Sequence, residues 1–237
     1  MTRNNLPFLF LFAIFVGTVL YSDPGYGQSF PVKINQEDPV KEDQILYNGK
    51  LWHNLYNNVK GDQFLFSKDF LQGSLTISGK LCKDVIINYD IYNDEIITIT
   101  NHGSMLQLNK EMVDSFSLNF EYKTYRFKNT QEDSLTGIKG YVNVLYKGKS
   151  ALYVKYKKEI QLLAVDDKYD LFFQTYRIYF VKEGTAYQIN NKKDLLKVLY
   201  EDKVQLKEFM KKNKLKISKS APESFVPVIR YYDNISR

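Results

Sequence analysis

The chain has few of the residues on which most catalytic and metal sites depend. Its 237 residues include one cysteine and two histidines. A single cysteine excludes a disulfide framework and a thiolate zinc cluster. The sequence also lacks the local signatures of a serine nucleophile, a zinc protease, a dinucleotide site and a phosphate-binding loop. The sequence therefore identifies no reaction, and it implies no cofactor.

Arginine is also scarce. Of the 33 basic residues, 28 are lysines and 5 are arginines, and the formal net charge is +6. Because the rigid guanidinium is preferred for phosphate and base-edge recognition, this bias argues against nucleic-acid binding. Aromatic residues are plentiful, with 19 Tyr and 16 Phe. Such a chain can bury a core, which excludes a disordered or collagen-like protein.

Long apolar runs are missing except at the start of the chain. Residues 6–20 form an apolar run that follows Arg3 and precedes a polar turn. Its length of about 15 residues fits a signal peptide and falls short of the ~20 that span a bilayer. We predict a signal peptide at residues 1–27, with a retained N-terminal anchor as the alternative. The mature chain is expected to be exported, periplasmic or secreted, with no transmembrane segment.

Alternation of apolar and polar residues predicts antiparallel strands through the middle of the chain. Between Ser115 and Tyr122 the alternation has no error. Three hairpins are predicted: 85–92 with 95–100, 140–146 with 151–156, and 176–182 with 185–189. Further strands are predicted at 44–47, 63–66, 74–77 and 105–108. Together they predict a mainly β (α+β) fold, with a large, strongly curved antiparallel sheet or half-open barrel of about ten strands.

The last part of the chain changes to helical periodicity, and two or three helices are predicted there. Asn191 and Asp202 are candidate N-caps, and Ser220 with Glu223 forms a capping-box pattern before a last helix that contains Pro227. The predicted organisation is an N-terminal arm at 28–43, a sheet domain at 44–190 and helices at 191–237 that pack on the same domain.

An acidic cluster at a predicted hairpin turn is a candidate cation site. Asp90, Asp94 and Glu95 lie within a few positions of one another. Carboxylate and amide oxygens are the ligands that calcium prefers. Asp and Asn are also common turn residues, so an ordinary hairpin turn is the alternative. A nearby turn carries His102, while His53 follows the single tryptophan; neither lies near a nucleophile in the sequence.

A hairpin rich in tyrosine and lysine is the candidate binding surface for a partner. Its residues are Tyr146, Tyr153, Tyr156, Lys147 and Lys149. Strands that are apolar on both faces leave aromatic rings for contacts with an envelope protein or with an anionic or apolar ligand. A second group of lysines lies in the helical region. Either group could meet an anionic surface, or could simply be a solvated face.

Three stretches, Leu46–Trp52, Tyr89–Glu95 and Leu106–Lys110, resemble an unnamed family of exported Gram-negative bacterial proteins of unknown function. The resemblance implies an envelope location and a β-rich fold. It implies no catalytic residue, because no activity is assigned to that family.

The leading functional hypothesis is an exported, non-enzymatic envelope protein that binds a partner protein or ligand through an aromatic-lined sheet face. A carboxylate- or His102-dependent hydrolase is one alternative, and it requires Asp90, Asp94 or His102 to line a pocket with a second titratable residue. A structural or adhesion component is the other, and it requires a long unpaired edge strand. The sequence leaves the oligomeric state open.

Overall fold

The computed structural model describes Leu46 and residues 48–130, 136–162 and 170–236. The predicted signal peptide and N-terminal arm lie outside the described residues, as does nearly all of the strand predicted at 44–47. Within the described part of the chain, no helix combines the length and the apolar character needed to cross a bilayer.

The described residues form one antiparallel sheet of eleven strands. The strands are β1 Gly49–Leu51, β2 Leu71–Ile77, β3 Lys80–Asp90, β4 Glu95–Ile99, β5 Met105–Leu108, β6 Val113–Phe120, β7 Lys123–Asn129, β8 Tyr141–Lys147, β9 Ala151–Gln161, β10 Leu171–Lys182 and β11 Thr185–Ile189. Their order is β1-β5-β4-β3-β2-β6-β7-β8-β9-β10-β11, so the sheet is not closed. The mainly β prediction is confirmed, but the strong curvature is not.

The three predicted hairpins are present, as β3–β4, β8–β9 and β10–β11. The prediction of a strand at 63–66 is wrong: this segment makes a single bridge, from Phe64 to Asp90, and continues as a loop. Strand β7 was not predicted. Its inward residues Tyr125 and Phe127 alternate with charged residues, but this apolar–polar alternation includes only two apolar positions.

The first core lies on one face of the strands before β9. Four buried aromatic rings meet there, those of Tyr89, Phe116, Phe127 and Tyr141. Tyr89 lies 5.1 to 5.8 Å from the other three ring centroids in edge-to-face geometry, while Phe116 and Phe127 stack at 4.6 Å. These rings come from β3, β6, β7 and β8, so strands far apart in the sequence are fixed by one aromatic cluster.

A second core lies between β8–β11 and three helices, α1 Lys192–Val198, α2 Lys203–Lys212 and α3 Val226–Ile235. A 3-10 turn at Pro222–Phe225 precedes α3. The helices cover the sheet with buried side chains that follow the predicted helical spacing. The buried residues they contribute are Leu195, Leu196, Leu206, Met210, Val228, Ile229 and Tyr232.

One of the three predicted caps is confirmed. Asn191 accepts hydrogen bonds from the backbone of Lys193 and Asp194 at the start of α1. Asp202 stands at the N-cap position of α2 but makes no side-chain capping bond, because its backbone is not extended. The capping box is wrong: Ala221 precedes the 3-10 turn, and Glu223 pairs with Lys123 instead.

A buried carboxylate joins the last helix to the sheet. Asp233 of α3 is 6% exposed. Its oxygens accept from the Ser150 hydroxyl at 2.6 Å, from the Ser150 backbone at 3.0 Å and from the Tyr146 hydroxyl at 3.0 Å. These bonds satisfy a charge that would otherwise be costly to bury, and they hold the β8–β9 turn against α3.

We expect Asp233→Ala to lower the free energy of unfolding by about 3 kcal/mol, because it leaves the buried donors of Ser150 and the partly buried Tyr146 hydroxyl without an acceptor. Urea denaturation followed by circular dichroism measures the change. Asn234→Ala, at the exposed neighbouring position, is the control and should change stability by less than about 0.5 kcal/mol. Equal effects of the two substitutions would contradict the anchoring role of Asp233.

Candidate functional site

The best-connected charged residue of the sheet is Asp94, in the turn between β3 and β4. Its Oδ2 lies 2.6 Å from the Lys110 Nζ, and its Oδ1 lies 2.7 Å from the Lys155 Nζ. The Tyr89 hydroxyl donates to Oδ1 at 2.5 Å. Asp94 therefore connects the β3–β4 turn to β9, although four strands separate β3 from β9 in the sheet order.

Gly140, just before β8, makes room for this carboxylate. A Cβ atom at Gly140 would lie 1.6 Å from the Asp94 Oδ2, and the residue has a φ of +82°. Both the space and the left-handed backbone require glycine here. Asp94 itself has a φ of 61°, a conformation that Asp tolerates better than most residues.

The lysines keep Asp94 ionised. Burial alone would raise its pKa, but the Lys155 charge and the hydrogen bonds from Lys110, Lys155 and Tyr89 outweigh burial and hold the pKa below its ordinary value. Burial lowers the pKa of Lys155, while Asp94 opposes that change. Burial, followed by the charge of Asp94, raises the pKa of Tyr89 well above its usual value. The arrangement is thus a carboxylate between two ammonium groups, beside a protonated phenol.

The other two carboxylates of the predicted cation site lie close by. Asp90 is fully buried, and it accepts from the backbone of Tyr92 and Asn93 and from the Asn93 amide. Glu95 is its cross-strand partner. Burial raises the pKa of both carboxyls; hydrogen bonds from Asn93 oppose the rise at Asp90, and the Asp90 charge adds to it at Glu95.

These three acids do not converge on a common point. Among the residues that the structure describes, no group of three or more His, Cys, Asp or Glu side chains is arranged to hold a metal ion. Asp94 directs its oxygens to lysines, and Asp90 directs its own into the turn. The cation site therefore stays a prediction from the sequence.

The histidines and the cysteine lie apart from these acids. His53 and His102 are both exposed, and His102 occupies the turn between β4 and β5 as expected. Cys82 is buried in the first core.

The predicted binding hairpin is largely used for internal packing. Tyr146 donates to Asp233, and Lys149 donates to the Ser236 carbonyl at 2.6 Å. Tyr156 lies between the two cores, and burial raises its pKa to about 12. Tyr153 is buried on the opposite face of the sheet, and Lys147 is exposed.

The face of β9 and β10 that carries Tyr153 contains a concave surface of about 540 Å³, a volume typical of ligand sites. We call it the cationic face. It is defined by the following residues: Lys139, Lys155, Lys157, Glu159, Arg177, Tyr179 and Lys219. Five cations and one acid thus surround one concavity.

Three of those cations form no ion pair within the described residues, although Arg177 acts on Glu159 electrostatically. Lys155 pairs with Asp94, and Lys157 pairs with Glu159 at 2.7 Å. Lys139, Arg177 and Lys219 form no ion pair with any residue that the structure describes. The sequence could not assemble this set, because only the register of β9 and β10 places Arg177 opposite Lys155.

Comparison of the chain with protein-family models, curated proteins and solved structures finds no match. The resemblance of Leu46–Trp52, Tyr89–Glu95 and Leu106–Lys110 to an exported bacterial family therefore stays a prediction.

We expect Asp94→Asn to lower the free energy of unfolding by about 2 to 3 kcal/mol at neutral pH, because two half-buried ammonium groups lose their counter-charge. Urea denaturation measures the change. Asp69→Asn, which neutralises an exposed acid without a side-chain partner among the described residues, is the control and should have little effect. A loss for Asp94→Asn no larger than for the control would disprove the bridging role.

Comparison of the parent protein with Asp94→Asn also tests how the contribution of Asp94 to stability depends on pH. Because the folded-state pKa of Asp94 is lowered, its stabilisation is complete above about pH 4 and is lost as the pH falls through the folded-state pKa. Asp90 and Glu95, whose pKa values are raised, act in the opposite direction and are present in both proteins. The stability difference between the parent and Asp94→Asn should therefore shrink below about pH 4, and a constant difference down to pH 2 would contradict the lowered pKa.

Proposed function

We propose that this is an exported, non-enzymatic envelope protein that binds an anionic ligand at the cationic face. The observation that carries the proposal is the cross-strand pair of Lys155 and Arg177, two like charges held opposite each other on neighbouring strands. Such a pair is destabilising without a counter-ion. Asp94 pairs with Lys155, whereas Glu159 acts on Arg177 without forming an ion pair, so an anion above the sheet would relieve the remaining repulsion.

Aromatic side chains adjoin these cations. Tyr179 lines the concavity and pairs across the strands with buried Tyr153. Tyr176 holds the Lys219 segment in place, because its hydroxyl donates to the Lys219 carbonyl at 2.8 Å. A ligand with carboxylate, phosphate or sulfate groups and an apolar or sugar ring would find both charge and a flat contact surface.

The positions of the titratable residues favour binding over hydrolysis. A hydrolase would need Asp90, Asp94 or His102 to face a ligand-sized space together with a second acid or base. The Asp94 oxygens bind lysines, and the Asp90 oxygens accept hydrogen bonds within the turn. His102 is exposed. None of the three lines the cationic face.

The sheet edges do not favour an adhesion role. Edge-to-edge assembly requires a long unpaired strand. The described edge strands are β1, with three residues, and β11, with five residues. Both are short for a strand that would recruit another copy of the chain.

Two further parts of the proposal concern export and the shape of the sheet. Export rests on the apolar run at 6–20. Strong curvature of the sheet is supported by the Lys158 backbone, which donates to the Ile91 carbonyl at 3.2 Å and so joins β9 to the β3–β4 turn. The Lys158 ammonium adds bonds to Asp62 and to the Phe64 carbonyl.

We expect the protein to bind at least one of three anions: citrate, inorganic pyrophosphate and a sulfated disaccharide. Isothermal titration calorimetry at low ionic strength measures binding, which should weaken as salt is added. Arg177→Gln should reduce the affinity about tenfold or more, because a charge-assisted contact is lost. Arg126→Gln is the matched control, since Arg126 is also an exposed strand arginine, on β7.

Two results would overturn the proposal. One is the absence of heat with all three anions while the protein is folded by circular dichroism. The other is an equal loss of affinity in Arg177→Gln and Arg126→Gln, which would indicate a response to net charge alone.

A further inference from the structure

A second concave surface, separate from the cationic face, lies along helices α1 and α2. We call it the helix surface. Its volume is about 950 Å³, and five lysines line it together with Tyr200 and Asp194. The lysines are Lys192, Lys193, Lys197, Lys203 and Lys207. No residue is shared with the cationic face.

The acids near the helix surface are not paired with its lysines in the described part of the chain; Glu201 accepts from the Tyr200 hydroxyl at 3.1 Å. None of its five lysines forms an ion pair there. Its one acid, Asp194, is engaged at the start of α1, where its Oδ2 accepts from the Asn190 backbone at 2.8 Å and from the Asn191 amide at 3.1 Å. The five lysine charges therefore face solvent.

Two exposed apolar side chains accompany these lysines. Tyr200 is 70% exposed and Val204 is 69% exposed. Lys203, Val204 and Lys207 are neighbours in α2 at helical spacing, and Tyr200 lies in the segment between α1 and α2. Lys203 and Lys207 precede the buried residues Leu206 and Met210 by three positions, so they border the buried side of α2, and exposed Val204 lies beside them.

We propose that the helix surface docks the protein on an anionic lipid bilayer. Lysine is a compact, strongly hydrated charge that suits a diffuse layer of headgroups, whereas fixed bidentate sites favour arginine, which the surface lacks. A tyrosine at the centre suits the interface between headgroups and acyl chains. The concavity between the helices has room for a phospholipid headgroup.

The energetics suit reversible attachment. Each lysine near an anionic membrane strengthens binding about five-fold, and this attraction decays within a Debye length. Two apolar side chains add a small area of burial and cannot anchor the chain by themselves. Docking should therefore depend on both lipid charge and salt.

Vesicle cosedimentation tests the proposal. The chain from Gln28 onward is used, because the apolar run at 6–20 would itself enter lipid. The run lies outside the described residues, so its removal takes away none of the described sheet and helices. Circular dichroism of that chain must show a β-rich fold.

We expect this chain to sediment with vesicles of phosphatidylcholine and phosphatidylglycerol, to stay in solution with phosphatidylcholine alone, and to be released by about 1 M salt. The triple variant Lys197→Gln, Lys203→Gln, Lys207→Gln should bind about 100-fold more weakly. Its matched control is Lys68→Gln, Lys80→Gln, Lys83→Gln, which removes the same charge from exposed lysines of the sheet domain. The control should retain nearly all binding.

A tryptophan introduced at position 200 tests whether the helix surface is the part of the protein that contacts the vesicle. Tyr200→Trp should shift its tryptophan emission to the blue on anionic vesicles, relative to the parent that has only Trp52. Failure of the parent to bind anionic vesicles, equal binding by the two triple variants, or no shift for Tyr200→Trp would each overturn the proposal. Arg177→Gln should bind vesicles as the parent does, so loss of anion binding at the cationic face and loss of membrane docking are separate results.

Discussion

The rest of the sheet depends on the Asp94 carboxylate and the two lysines that neutralise it. A half-buried charge is stable only when its partners are placed by structure. Lys110 follows β5, Lys155 is in β9, and Gly140 before β8 provides the space. Asp94 can therefore be ionised and satisfied only when the β3–β4 turn, β8 and β9 have come together.

The aromatic core is joined to the ion pairs of Asp94 through Tyr89. Tyr89 donates to Asp94 and also meets the rings of Phe116, Phe127 and Tyr141. The hydroxyl end of this tyrosine is polar and its ring is apolar, so one side chain joins the ionic cluster to the apolar core. A change at Asp94 is thus expected to affect the packing of strands from both halves of the sheet.

Most of the fold was predictable, whereas most of the site was not. Period-two alternation located three hairpins, and the capping side chain of Asn191 located α1. The sequence assigned Asp94 to a cation site because its acidic neighbours are local, but its true partners are distant in sequence. Lys155 is 61 positions away, and only strand pairing brings it close. Strand pairing also explains why the sequence did not indicate Arg177, since only its register with Lys155 places it at the proposed site.

Lys155 connects the internal ion pair to the proposed ligand site. Its ammonium is held by Asp94 and by the Tyr141 carbonyl at 3.0 Å, so its position is fixed before any ligand arrives. A fixed donor loses little conformational entropy on binding, whereas exposed Arg177 has no ion pair within the described residues to fix its position. Asp94 also reduces the net charge that the anion meets. The proposed ligand site therefore combines one cation fixed by the fold with exposed cations that form no ion pair within the described residues.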